Sequence, residues 1–330
     1  MNTKKGQEAN KNPLQILKMA YNRNGMLLIL IIMIMLISII TPNFLKIQNI
    51  INIVRQISFI TIIGCGTIFV LISGNIDLSS GAVASLTSVV AASFAHPGEY
   101  PLIVTILIGI SVGALCGLVN GILVANFKIP SFIVTLGLSQ AANGIALILS
   151  NACPIPNLSD EFVFLGIGKF LGIPFPVIIL AIVLLISWTL LNKTRYGRHV
   201  CALGGNEQAA IISGINVKKT KISTFVIAGV MASIAGIALT ARVSSGQPAL
   251  GTGMELDAIA ATVIGGTSLL GGVGSISGTM IGGLIIGVIN NGMDLTNINM
   301  FYQQITKGTI MVGAVILDSL KAGKSFGKKK

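Results

Sequence analysis

The sequence predicts an all-α, polytopic integral membrane protein of about ten transmembrane helices in two inverted five-segment halves. Three observations carry this. Apolar residues make up 53% of the 330 and charged ones 10%, against about 25% charged in a soluble domain, too few to cover a soluble surface. The Lys and Arg residues gather in blocks: five before Asn24, six across 193–221 and five from Lys321 onward. Such blocks mark the inner flanks of membrane spans. A repeated motif recurs after five segments, an odd number, which reverses the topology of the second copy. The net charge of +12 does not point to nucleic acid, because the basic residues form no stripe with interleaved aromatics. Cys65, Cys116, Cys153 and Cys201 are scattered without metal-ligand spacing and predict no disulfide framework.

Taken in order, residues 1–23 are polar and basic and read as a cytoplasmic segment, disordered or lying on the membrane surface. Residues 24–320 form a single transmembrane domain, and 321–330 a basic cytoplasmic tail. The run 26–40 ends at Thr41-Pro42 with no small-residue cleavage site, so it is a retained first span. Spans follow at 57–73, 78–94, 102–127 and 132–149, then a loop over 151–172 containing Asp160 and Glu161, then a sixth span at 173–191. Six crossings return 193–221 to the cytoplasmic side, where its charges belong. Beyond it lie 222–241, a short Gly-rich stretch at 257–270, and spans at 276–293 and 305–317. The short stretch fits a tilted, broken or re-entrant element, since irregular backbone is tolerated at membrane depth only when shielded from lipid.

The repeat is G-x-x-x-G-x-x-N: Gly113, Gly117 and Asn120 match Gly283, Gly287 and Asn290, and Ile129 and Phe132 match Ile298 and Phe301. The segment 74–85 resembles 253–262 less closely. Generic packing of small residues also produces G-x-x-x-G; the collinear second match favours a true repeat. Asp77, Asn120, Asn143, Asp257, Asn290 and Asn291 interrupt or border apolar spans. A charge at membrane depth costs about 3 kcal/mol or more and faces a cavity, a partner or the interface. These six are the candidates for a solute pathway. Linking helices is the alternative role for the asparagines, and Asp77, preceding Leu78-Ser79-Ser80, suits the N-cap of the third span.

The stretch 193–221 is the longest polar interruption. Gly204, Gly205 and Asn206 lead into Glu207 and Gln208, and Gly214 follows seven residues after Glu207. Asn206 suits an N-cap, Glu207 a first turn and Gly214 a C′ position. The helix between them spans about two turns, roughly 12 Å, far short of the ~30 Å of a bilayer core. Ala209, Ala210, Ile211 and Ile212 give it an apolar face that a protein groove would take; an ordinary connecting loop is the other reading. No G-x-x-x-x-G-K-[ST] loop is present to hold phosphates, and His96 and His199 are too far apart in sequence to suggest a metal cluster. No catalytic residue, metal or cofactor is expected.

The stretches GRHVCALGGNEQAAIISGIN, GNIDLSSGAVASL and GMELDAIAATVIGGTSLLGGVGSISGTMIGGLIIGVINNG resemble the permease subunit of ribose-type monosaccharide ABC importers, over nearly the whole chain from about Thr41 to Asp318. The resemblance implies a transport subunit that is not an enzyme, resident in the bacterial cytoplasmic membrane as a homodimer or pseudo-dimer. It implies an ATPase partner with tandem nucleotide-binding domains, which binds the ATP, and an extracytoplasmic sugar-binding protein. It places ATPase coupling on Gly204, Gly205, Asn206, Glu207, Gln208, Ala209, Ala210 and Gly214. The wider E-A-A-x-x-x-G importer pattern is met loosely, with Glu207 one place early. Ribose is the first substrate expectation. Branched-chain amino-acid permeases are the nearest alternative, and an ion-coupled secondary transporter a further one.

Overall fold

The computed structural model describes residues 13–327; the expectations for 1–12 and 328–330 lie outside them. The chain opens with α1 (Pro13–Ile40), α2 (Ile47–Ile72), α3 (Ser80–Ser93), α4 (Leu102–Phe127) and α5 (Ser131–Leu149). A short α6 (Asp160–Ile167) and an antiparallel hairpin, β1 (Lys169–Phe170) and β2 (Ile173–Pro174), lead to α7 (Phe175–Lys193). Two connected short helices follow, α8 (Arg195–Gly205) and α9 (Glu207–Ile212). The remaining elements are α10 (Val217–Val243), α11 (Met254–Ile264), α12 (Ile276–Leu295) and α13 (Met300–Gly327).

Six of these, α2, α4, α5, α7, α10 and α12, are long and apolar enough to cross a membrane. They divide by burial. In α2, α10 and α12 most of the apolar window is buried, whereas α4, α5 and α7 turn most of theirs outward, as Leu107, Leu115, Ile148 and Leu185 do. Outward apolar faces suit lipid as the solvent, and the protein is a polytopic membrane protein. Its centre is the packed pair α2 and α10. Ile62, Ile63, Phe69 and Ile72 of α2 meet Leu180 and Val183 of α7, Val200 of α8 and Met231 of α10. Small residues allow the closest crossings. A Cβ added to Gly113 of α4 would fall 1.7 Å from Ser233 Oγ of α10, and one on Gly117 2.2 Å from Phe225 O.

Several boundaries differ from the sequence reading. Helix α2 begins at Ile47 rather than 57, because Asn49, polar in an apolar run, pairs with Asn291 of α12. Helix α1 reaches back to Pro13, into the expected N-terminal segment, and α13 runs past 317 to Gly327. The loop 151–172 contains α6, capped by Ser159 Oγ, which accepts from Phe162 N at 3.4 Å. It is anchored by buried Phe162 against Ala91, Ala95, Ile237 and Ala241. The Gly-rich stretch resolves into α11, of 11 residues, and an irregular run in which Gly266, Gly271 and Gly272 take positive φ.

Candidate coupling loop and membrane polar network

The polar interruption holds two helices, not one. Thr194 caps α8, its Oγ1 accepting from Gly197 N at 3.3 Å. Tyr196, Val200 and Leu203, at helical spacing, turn inward, while Arg195, Arg198 and His199 stay exposed. That spacing and the Thr194 cap were the signals for α8 in the sequence. Ser223 Oγ of α10 donates to Tyr196 Oη at 3.1 Å. Burial pushes the Tyr196 phenol up to about 12, against the smaller opposing effect of that hydrogen bond, so it is neutral at physiological pH.

Helix α9 has the expected ends. Asn206 Oδ1 accepts from Ala209 N at 3.0 Å. At the other end Gly214, at φ 78°, donates to Ile211 O at 2.9 Å while Ile215 N donates to Ala210 O at 3.0 Å. This is the paired closure that satisfies orphan carbonyls at a helix end. Glu207 forms an ion pair at 2.8 Å with Lys221, tying α9 to the base of α10. The outward apolar face is only part of the one the sequence suggested: Ile211 and Ile212 are 51% and 86% exposed, while Ala210 is 3% exposed. Ala210 is spent on internal packing, because the short helix must bury one side to stay on the protein. The two isoleucines are left as the outward face, beside exposed Gln208 and Ala209.

Gly204 and Gly205 do something different. A Cβ on Gly204 would fall 1.7 Å from Ile72 O, at the end of α2. Gly272 N donates to the same carbonyl at 2.8 Å, and a Cβ on Gly272 would meet Gly205 Cα at 3.1 Å. The end of α8, the end of α2 and the run after α11 therefore meet backbone to backbone.

From this joint the non-helical connector 73–79 leads to the polar network. Ile76 N donates to Ser131 Oγ at 3.0 Å and Leu78 N to Thr135 Oγ1 at 3.1 Å, both on α5. Asp77 is 3% exposed and its Oδ1 accepts from Ser79 N at 2.8 Å and Ser79 Oγ at 2.6 Å. The expected N-cap at Asp77 is thus corrected: the cap residue is Ser79, and Asp77 closes an Asx-type turn two residues earlier. Asn120 Nδ2 donates to Ser79 Oγ at 2.9 Å, joining α4 to this point, and its buried Oδ1 has no partner.

The other pathway candidates are dispersed. Asp257 is held by Lys307 of α13 at 2.8 Å, a partner the sequence reading missed. Asn290 is buried with Oδ1 unpartnered, Asn291 exchanges two 2.9 Å hydrogen bonds with Asn49, and Asn143 stands half-buried on α5. Asp77, Ser79 and Asn120 are brought together; Asn143 and Asn291 are not part of that cluster.

Residues 49–315 match the family model described as branched-chain amino acid transport system / permease component. The ribose import permease of Escherichia coli strain K12 is 43% identical over 299 residues, 89% of this chain and 93% of that protein. The ribose import permease of Bacillus subtilis strain 168 is 43% identical over 90% of this chain and 93% of its own length. A D-allose transport system permease of Escherichia coli strain K12 is 38% identical over 96% and 97%. No solved structure matches the chain significantly.

Proposed function

The chain belongs to the family of branched-chain amino acid transport system / permease components, and we propose that it is the permease subunit of an ATP-driven importer of a monosaccharide, with ribose the first candidate. The observation that carries this is 43% identity over about nine-tenths of the chain to permeases named for ribose import in two bacteria. An ABC importer implies a separate ATPase and a soluble binding protein. The permease itself is then a conduit rather than an enzyme, and needs no cofactor. It sits as a homodimer in the cytoplasmic membrane, with both termini and the 193–221 loop on the cytoplasmic side.

Ten membrane segments in two inverted halves are supported by the way the repeat packs. The shift from Gly113 to Gly283, 170 residues, carries Ile47–Ile72 onto 217–242, nearly coincident with Val217–Val243. The glycines follow the same relation. Gly113 and Gly117 of α4 lie on α10, while Gly283 and Gly287 of α12 lie on α2, where a Cβ would fall 2.3 Å from Thr61 Oγ1 and 2.2 Å from Ile57 Cγ1. The short α3 and α11 are likewise counterparts, as half-helices at a transport midplane would be.

In this reading the exposed Ile211–Ile212 pair docks α9 in the ATPase, and the Gly204 joint passes its motion to the connector 73–79 and the Asp77–Ser79–Asn120 cluster. Coupling requires that the nucleotide-bound ATPase favour one access state over the other. The test is uptake of labelled ribose, allose and arabinose into vesicles holding the permease with its ATPase and binding protein. ATP-dependent accumulation of one of these sugars is expected. Accumulation by the permease alone along an ion gradient, or of leucine in place of sugar, would replace the reading.

A further inference from the structure

The connector between α10 and α11, residues 244–253, lies along one side of α3. That side is built of small residues at helical spacing: Gly81, Ala84, Ser85, Ser88 and Ala92. Gln247 N donates to Ser88 Oγ at 3.1 Å and Gly251 N to Ser85 Oγ at 2.8 Å. A Cβ on Gly246 would fall 2.3 Å from Ala92 Cβ, and one on Gly251 2.2 Å from Gly81 O. Behind the connector, Gly246 and Ile155 exchange backbone hydrogen bonds of 2.8 and 2.9 Å. The segment is therefore sandwiched between α3 and the stretch before α6.

Glu255, in the first turn of α11, completes the contact. Its carboxylate fills the space that Gly81 leaves: a Cβ there would lie 1.9 Å from Oε2. That oxygen is sealed from solvent without a hydrogen-bond partner, although buried acceptors are nearly always satisfied. What it faces is the start of α3, whose first turn receives no side-chain cap from Ser79 and whose positive end favours a carboxylate. Asp77, on the connector into α3, and Asp257, held by Lys307, carry the same sign of charge as Glu255 and cannot balance it, so the start of α3 is the positive element its carboxylate meets.

We propose that Glu255 is the latch of an outer gate. Resting on the importer reading, residues 244–253 close the path on the side away from the 193–221 loop, held on α3 by Ser85, Ser88 and Glu255. They slide off α3 when sugar enters. Non-helical backbone within a membrane bundle is tolerated where it is buried in protein or lines a cavity, and this segment, buried against α3, is held by backbone-to-hydroxyl hydrogen bonds that are readily exchanged for water. Glu255 acts here as a positioning residue, through the connector and not through the sugar.

The test is a reversible lock. The 3.1 Å contact of Gln247 N with Ser88 Oγ sets the two residues side by side, and a disulfide between cysteines there would hold their Cα atoms about 5.5–6 Å apart. A Ser88→Cys, Gln247→Cys permease, with exposed Cys153 replaced by Ser, is reconstituted with its ATPase and binding protein. Oxidation is expected to lower ATP-driven sugar uptake roughly tenfold or more, and reductant to restore it. Glu255→Ala is expected to let preloaded sugar leak without ATP several-fold faster, with Glu255→Gln between it and the parent. Full uptake in the oxidised form, or no added leak in Glu255→Ala, would overturn the gate while leaving the importer reading standing. Failure of the parent complex to move any sugar would remove both.

Discussion

The connectors 73–79 and 244–253 each lead into a short helix, α3 and α11, and both are clamped by hydroxyls of a neighbouring helix. Ser131 and Thr135 accept from the backbone of the first, Ser85 and Ser88 from the backbone of the second. They differ in what stands behind them. The first abuts the Gly204 joint beneath the α8–α9 loop, while the second is backed by Ile155 on the opposite face. One connector is thus in backbone contact with the α8–α9 loop, and the other with Ile155 of the stretch before α6. In the proposed importer that asymmetry would set a driven joint on the ATPase side against a passive gate on the other.

The largest effect expected from breaking this arrangement lies just after the second connector. Lys307→Met leaves the Asp257 side chain, 8% exposed, without its partner, a loss of about 3 kcal/mol, discounted from the fully buried case because Lys307 is 36% exposed, while the double change with Asp257→Asn removes the unpaired carboxyl as well. Thermal unfolding in detergent should show the single variant strongly destabilised and the double variant largely restored. Equal destabilisation of both would mean the pair does not anchor α11.

The first connector is broken through its joint. Gly204→Val forces a side chain into Ile72 O, costing about 3 kcal/mol of overpacking. ATPase should still co-purify, because α9 is untouched, yet uptake should collapse. Retained uptake would separate the joint from coupling.

Ile212→Asp acts on the driven side alone. It puts a charge on the exposed face proposed for docking, and a loss of about 2–3 kcal/mol would weaken ATPase binding roughly a hundredfold. The permease should unfold at an unchanged temperature. Ala210→Asp should instead lower that temperature, because Ala210 is buried within the chain. If Ala210→Asp weakens ATPase binding and leaves unfolding unchanged, the assignment of the two faces is reversed.

The smallest effect comes from the clamps. Thr135→Val and Ser88→Ala each remove one hydroxyl acceptor, worth about 1 kcal/mol. Thr135→Val should slow ATP-driven uptake, and Ser88→Ala should speed passive leak. Identical phenotypes would erase the distinction between the connectors.

Much of this was legible along the chain. The caps of α9 at Asn206 and Gly214 are local, set by residues within five positions of one another, and they stand where the sequence put them. Most spans followed from continuous apolar runs, and the G-x-x-x-G stripes from helical spacing. Where the reading slipped, a distant partner had intervened. Helix α2 starts early because Asn49 has Asn291, and Asp77 lost the cap position because Ser79 and Asn120 organise the turn. The polar 195–205 stretch became a helix because α10 and α2 cover its inner face.

The amino-acid order by itself determined the membrane class, the approximate spans, the blocks of positive charge and the short capped helix. Hydropathy, charge and capping act over one turn or one span, and each is complete within its own window. Only the tertiary structure decided that Ala210 faces in and Ile212 out, that Gly204 touches α2, that Lys307 neutralises Asp257 and that Glu255 sits in the notch of Gly81. The Lys307–Asp257 pair lies 50 residues apart, and the Gly251–Ser85 clamp beside the Glu255 notch spans 166. Separation on that scale leaves no trace in local pattern, and it is fixed only when the helices cross.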